Sequence, residues 1–153
     1  MKKGAMFNFS LITRAKDDKL HSTIYWGNNT QLTYSGKIDA IASFRQDSLK
    51  RVLHTRVDIQ PSQVILNDTT WNIHPATVDI AKDSIEIHDF LFEHRDQHLK
   101  INGRLGKTEA DSCLVDLKNI NLLYIMDMIQ FHAVRFDGGI SGKSTCATCF
   151  RNR

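Results

Sequence analysis

Gly138 to Ser144 reads Gly-Gly-Ile-Ser-Gly-Lys-Ser, the residue types of a loop that cradles phosphate. Such a loop needs four residues between its first glycine and the Gly-Lys-Ser, and the position that must be glycine holds Asp137. No helical pattern follows, so half of the expected anion site, the helix N-terminus, is not signalled. The segment reads as a glycine-containing strand. Cys146-Ala147-Thr148-Cys149 has CxxC spacing. Zinc would need a second pair of ligands, and a thioredoxin-like centre would need a βαβ setting; neither is visible. With Cys113 the cysteines number three, an odd count that argues against a disulfide framework.

The seven histidines raise the question of a metal. His94 and His98 are four apart, but Arg95-Asp96-Gln97 between them reads as a hairpin turn, which removes helical pairing geometry. His54, His74 and His88 fall at polar-face or turn positions and read as solvated. A Gly-x-Ser-x-Gly elbow is absent, since Gly139-Ile140-Ser141-Gly142 runs into Lys143. The adjacent carboxylates Asp17 and Asp18 sit in a turn signal. The residues point to no catalytic centre, no cofactor and no metal.

The elements that carry these residues are strands. Apolar and polar residues alternate with period two: Leu20, Ile24 and Trp26 against His21, Thr23 and Tyr25, then Tyr34, Ile38, Ala40, Ala42 and Phe44, then Leu53, Val57 and Ile59. Trp71 with Ile73, Val78 with Ile80, Ile85 with Ile87, Leu99 with Ile101 and Val115 with Leu117 continue it. Turn signals at Lys16–Lys19, Gly27–Asn29, Asn67-Asp68, Lys82-Asp83, His94–Asp96 and Gly106-Lys107 separate the runs closely enough for hairpins. The expected fold is mainly β, an antiparallel meander with one apolar and one wet face. One exception has helix spacing: Leu122, Ile125, Met126 and Ile129 predict a short helix near residues 121–131, with Asn121 as its N-cap.

Three segments echo one another: Tyr34-Ser35-Gly36-Lys37-Ile38, Ile101-Asn102-Gly103-Arg104-Leu105 and Phe136-Asp137-Gly138-Gly139-Ile140. Each sets a glycine inside a strand, as a bulge or a close backbone approach would require, and their recurrence suggests a stacked repeat. The chain has 153 residues, room for one domain, with 41% hydrophobic and 24% charged residues. Formal net charge is +3 with both signs scattered, which predicts no nucleic-acid partner. Met1-Lys2-Lys3 resembles the start of a signal peptide, but Phe7, Phe9 and Leu11 alternate with Asn8 and Ser10, so the segment reads as a strand that begins in mid-fold. Residues 1–145 read as one segment of a larger protein and 146–153 as a disordered tail.

From about Ser62 to Lys143 the order of motifs resembles a known family. The most specific piece is Leu66-Asn67-Asp68-Thr69 with Trp71-Asn72-Ile73-His74-Pro75, followed by Ile85-Glu86-Ile87-His88-Asp89-Phe90 and Leu99-Lys100-Ile101-Asn102-Gly103. Leu114 to Leu122 and Asp137-Gly138-Gly139-Ile140-Ser141-Gly142 complete it. This order is similar to that of the TamB-type translocation and assembly module proteins, in their Bacteroidetes form, within the AsmA-like superfamily. The resemblance implies a β-sheet curled lengthwise into an elongated groove, in an inner-membrane-anchored parent that crosses the periplasm. It implies a part in carrying phospholipid acyl chains toward the outer membrane or in assembling and translocating outer-membrane proteins, with an Omp85-type barrel as possible partner. It carries no catalytic residue, and the expectation is that this chain is a piece without the family's anchor and C-terminal domain.

The lipid-facing residues expected on this basis are Phe7, Phe9, Trp26, Tyr34, Ile38, Leu53, Val57, Trp71, Ile73, Ile85, Ile87, Ile101, Val115 and Leu117. The competing expectation is a structural or adhesive β-repeat of a surface protein, in which the same residues line a closed sandwich core. Alternation alone does not separate a groove from a core.

Overall fold

The structure, a computed structural model, describes residues 7–28, 34–46, 52–66, 68–108, 111–121 and 139–147. It is an antiparallel sheet of eleven strands, with no helix among the described residues. The strands are β1 (Phe7–Lys16), β2 (Lys19–Asn28), β3 (Ser35–Gln46), β4 (Leu53–Ile59), β5 (Ser62–Leu66), β6 (Thr69–Ile73), β7 (Ala76–Ala81), β8 (Ser84–His94), β9 (Gln97–Gly106), β10 (Ser112–Asn121) and β11 (Gly139–Ala147). The expected helix near 121–131 lies outside the described residues, apart from Asn121, which closes β10.

The turn signals fall where the hairpins turn. Asp17 and Asp18 both have positive φ, the geometry that matches the twist of a two-residue hairpin. Asp68 and Arg95 take the same left-handed conformation at the β5–β6 and β8–β9 turns. Asp111 ties the β9–β10 connection: its carboxylate accepts from the Thr108 amide at 2.9 Å and the Thr108 hydroxyl at 2.6 Å, and Arg104 Nε lies 3.1 Å away. Those hydrogen bonds hold the Asp111 carboxyl below the usual aspartate range.

β4 and β5 together form one long strand beside β3, and β6 and β7 form its hairpin partner. Each is interrupted at the same level, by Gln60-Pro61 between the Ile59↔Ala76 and Ser62↔Ile73 pairs, and by His74-Pro75 opposite. A proline cannot donate to a ladder, and the two proline-containing breaks lie at the same level of neighbouring strands, which makes a crease. β8 breaks register at a matching level, between Ile87 and Phe90, where Asp89 has φ 57. In all three strands the interruption shifts the alternation by one residue. Ile59, Ser62 and Val64 turn to one side, as do Ile73 and Ala76, and as do Ile87 and Phe90. Asn119, φ 50, does the same in β10, so Leu117 and Ile120 both reach the core cluster. Bulges of this kind bend the strand and increase its twist.

The bend is large enough to close part of the sheet on itself. Ile120 of β10 belongs to one buried cluster with Val64, Leu66, Trp71 and Ile73 of β5 and β6. β6 and β10 are three strands apart, about 14 Å in a flat sheet at ~4.8 Å per strand. Contact across that span requires the sheet to curl around its apolar face. Two glycines of the echoed segments serve different ends. Gly36 is the seat of the Trp26 ring, which a Cβ would strike, whereas Gly103 has φ +126 and lies against the Ser112 carbonyl. The third copy's glycine, Gly138, lies outside the described residues.

Ser62 fills the gap that Pro61 leaves in the ladder. Gln60 N–H donates to the Asp39 carbonyl at 2.8 Å, the Asp39 N–H donates to Ser62 Oγ at 3.3 Å, and the Ser62 hydroxyl donates to the Gln60 carbonyl at 2.8 Å. Ser62 is buried, so no water replaces it readily. Ser62→Ala is expected to cost about 1–2 kcal/mol by leaving an amide and a carbonyl unpaired. Urea unfolding checks this; an unchanged midpoint would show that the crease does not depend on the hydroxyl.

Candidate functional site

Directly opposed residues of antiparallel strands share a face, so the register defines what each side of the sheet presents. One side is apolar in successive rungs. Leu11, Ile24 and Ile38 form one; Phe9, Trp26, Gly36, Val64 and Trp71 form the next. Ile73, Phe92, Leu99 and Leu117 form a third, and Phe90, Ile101 and Val115 a fourth. Beyond the crease, Leu20, Ala42, Val57, Val78 and Ile87 line up, followed by Phe44, Thr55, Ile80, Ile85 and Leu105.

The groove residues expected from sequence therefore fall on this one face: Phe9, Trp26, Tyr34, Ile38, Leu53, Val57, Trp71, Ile73, Ile85, Ile87, Ile101, Val115 and Leu117. The side chain of Phe7 lies outside the described residues. Sequence reading missed Val64, Leu66, Phe90, Phe92 and Ile120 on the same face. A signal was present: Gln60-Pro61, His74-Pro75 and His88-Asp89 each shift the apolar alternation by one residue.

Exposure along this face is uneven. On the β5–β6 side of the crease Trp71 is 1% exposed, stacked on Phe92 with ring centroids 4.8 Å apart and 15° between planes. His94 tilts against the same indole and its Nδ1 lies 2.7 Å from the Thr70 carbonyl. Trp26, Tyr34, Ile38, Ile59 and Leu117 pack around that cluster. On the other side Val57, Val78, Ile85 and Ile87 are half-buried, and Phe44, Leu53 and Ile80 are exposed, at 49%, 55% and 39%. The face is thus closed around Trp71 and open beyond the crease, as it also is at β1, where Phe9 and Leu11 are exposed. Cys113 is buried in line with Gly103 and Ile87, and burial pushes its thiol up, away from nucleophilic character.

The other side is mostly polar, with Ile12, Tyr25 and Leu114 exposed on it. Lys37, Gln63, Asn72, Glu93, His98 and Lys118 form a rung across it. A cleft of about 960 Å³ opens at the crease, lined by residues of both sides, Trp26, Gly36 and Ile73 of the apolar rungs with Lys37, Gln63, His74 and Glu93 of the polar one. Several of its polar side chains are matched to one another. Lys37 Nζ is 2.8 Å from Asp39, His74 Nε2 is 2.7 Å from Glu93, and Gln63 donates to Asn72 at 3.0 Å. His74 and His88, expected as solvated, have carboxylate neighbours, Glu93 for one and Asp79 and Glu86 for the other. Lys143 of the phosphate-loop-like segment lies in strand β11, 3.6 Å from Asp116. Among the described residues no three His, Cys, Asp or Glu side chains converge as a metal site.

No protein-family model, curated protein or solved structure matches this chain.

Hydrogen bonds from Lys37 and from the Thr23 hydroxyl, at 2.6 Å, hold the Asp39 carboxyl below its ordinary range, and Asp39 in turn raises the Lys37 ammonium. A lowered carboxyl stabilises the fold above its unfolded pKa, about 3.9, and that contribution is lost as pH falls through the folded value. A raised ammonium contributes below its unfolded pKa and is lost as pH rises through the folded one. Both groups are partly exposed, so each effect is screened and small. Urea midpoints measured from about pH 5 down to about pH 2.5 should fall, and Asp39→Asn should flatten that slope while lowering the midpoint at neutral pH. An unchanged slope would place the acid sensitivity elsewhere.

Proposed function

We propose that this chain is a groove segment of a TamB-type protein, carrying lipid acyl chains on the apolar face of its curled sheet. The observation that carries the reading is the face itself: rungs of Leu, Ile, Val, Phe and Trp cross the sheet, and the end beyond the crease is left partly open to water. A contiguous exposed apolar strip of this kind marks a binding surface. Transfer of an acyl chain onto it removes methylenes from water, at about 0.8 kcal/mol each. No covalent step is needed, which agrees with a polar side whose charges are spent on one another. In this reading the parent protein spans the periplasm and delivers lipid to the outer membrane, or supports barrel assembly there.

The closed end, packed around Trp71, favours a second reading, a structural or adhesive β module with a dry core. One pair of variants separates them. Ile73→Asp places a charge in the closed cluster and should unfold the domain, since an unpaired buried carboxylate costs several kcal/mol. Ile80→Asp lies at the open end, where the charge reaches water, and should leave the fold intact. If the open end holds acyl chains, Ile80→Asp loses crosslinking to a photoactivatable phospholipid that the unsubstituted protein captures. Capture unchanged in Ile80→Asp, or no capture by the unsubstituted protein, overturns the lipid reading in favour of the structural module.

A further inference from the structure

β10 and β11 run antiparallel in unbroken register from the Ser112↔Ala147 pair to the Leu117↔Gly142 pair, and the shift between Leu117 and Ile120 lies beyond it. That register sets Cys113 directly opposite Cys146. Directly opposed Cα atoms of antiparallel strands stand about 4.5 Å apart in non-hydrogen-bonded pairs and about 5.5 Å apart in hydrogen-bonded ones. A disulfide takes Cα separations of roughly 4.4–6.8 Å, so either kind of pair suits one. On its other flank Cys113 is paired with Gly103, which has no side chain. Of the two residues opposed to Cys113, only Cys146 can react with it. Cys113 itself is a free thiol, 2% exposed. Cys149, the other half of the CxxC, lies outside the described residues.

We infer that Cys113 and Cys146 are a modification site, joined by an intrachain disulfide that ties β11 to β10 and leaves Cys149 as the unpaired thiol. The oxidant is itself a disulfide, of a small thiol or of an oxidoreductase. The Cys146 thiolate attacks one sulfur of that disulfide, and the oxidant's other sulfur departs as a thiolate and takes up a proton. The Cys113 sulfur, giving up its proton, then attacks the Cys146 sulfur of the mixed disulfide and displaces the oxidant's remaining sulfur as a second thiol. Two protein thiols are oxidised and one external disulfide is reduced to two thiols. Burial pushes the Cys113 thiol up, so it is a poor partner for an external oxidant and acts second. Its fixed place opposite Cys146 favours that second, intramolecular step. The bond closes residues 113–146 into a loop and so restricts the unfolded chain. It depends on the register of two strands and stands whether or not the apolar face carries lipid.

Disulfide mapping of the full chain tests this. The folded chain is equilibrated in a buffer of oxidised and reduced glutathione, its remaining thiols are blocked with N-ethylmaleimide, and the monomer is taken from a non-reducing gel. Trypsin cuts after Lys107, Lys118, Lys143 and Arg151, so Cys113 leaves in one peptide, 108–118, and Cys146 and Cys149 in another, 144–151. The two peptides should emerge linked, with fragmentation placing the maleimide on Cys149. In concentrated urea the register is lost, and the link should give way to the short-range Cys146–Cys149 bond or to free thiols. Maleimide on Cys113 or on Cys146, a bond within 144–151 in the folded chain, a link found only between two chains, or the same yield of link in urea overturns the proposal.

Discussion

The structure depends on keeping one apolar side intact through a sheet that bends. Side chains in a strand alternate with period two, so any bend that adds a residue would throw the following apolar residues to the wrong side. This chain meets the constraint by inserting one residue where the alternation itself shifts. Ile59 is followed by Ser62 and Val64, Ile73 by Ala76, Ile87 by Phe90 and Leu117 by Ile120. Three of these shifts line up across neighbouring strands and make a crease rather than isolated defects. The backbone groups freed there are recovered locally: Ser62 stands in at Pro61, and the Asn119 amide donates to Ser141 Oγ at 2.8 Å while its carbonyl accepts from Gln97, also at 2.8 Å. A buried polar group left unpaired would otherwise cost more than the bend yields.

The crease divides one surface into two environments. On one side the curl brings β5, β6 and β10 together, and Trp71, with Phe92 stacked on it, fills the space between them. Fully burying aromatic and aliphatic side chains there supplies on the order of 1.5–3 kcal/mol each, enough to make this the anchor of the fold. On the other side the same types of residue are only half covered, because no strand returns across them among the described residues. Large apolar residues line both sides, aromatic on the closed one and mainly aliphatic on the other, and curvature sets which of them become a core.

That is why the strands and turns were legible in the sequence while the division was not. Asp17-Asp18, Lys82-Asp83 and Arg95-Asp96 mark hairpins through backbone preferences that act locally. Alternation identifies Trp71 with Ile73 and Ile85 with Ile87 as facing one way, again a local property. It says nothing of whether another strand lies above them. Val64-Ile65-Leu66 and Phe90-Leu91-Phe92 defeat alternation altogether, because consecutive apolar residues do not reveal which of them turns inward. Val64, Leu66 and Phe92 were therefore overlooked, although they surround the indole that anchors the cluster. Nothing in the alternation shows that the interruptions at Pro61 and Pro75 fall at one level of the sheet; the register does. The echoed glycines illustrate the opposite failure, a shared pattern with unlike physical causes, one a seat for an indole and the other a left-handed bend.

The polar side constrains function by what it has already used. Lys37 with Asp39, His74 with Glu93, Lys107 with Asp83 at 2.5 Å and Arg104 with Asp111 are satisfied within the sheet and its turns. Exposed pairs of this kind add little to stability, yet they neutralise one another and leave a surface without a concentrated field for steering an ionic ligand. Thr77 donating to Asp58 at 3.0 Å and Thr23 donating to Asp39 extend the same economy to hydroxyls. The charges paired in this way leave less of that side for an ionic ligand. The apolar side is the reverse: its hydrocarbon is unsatisfied wherever the curl does not reach. On the proposed lipid reading, binding is driven by removing apolar surface from water, an interaction without directional demands, and selectivity rests on where the curl closes and where it stops.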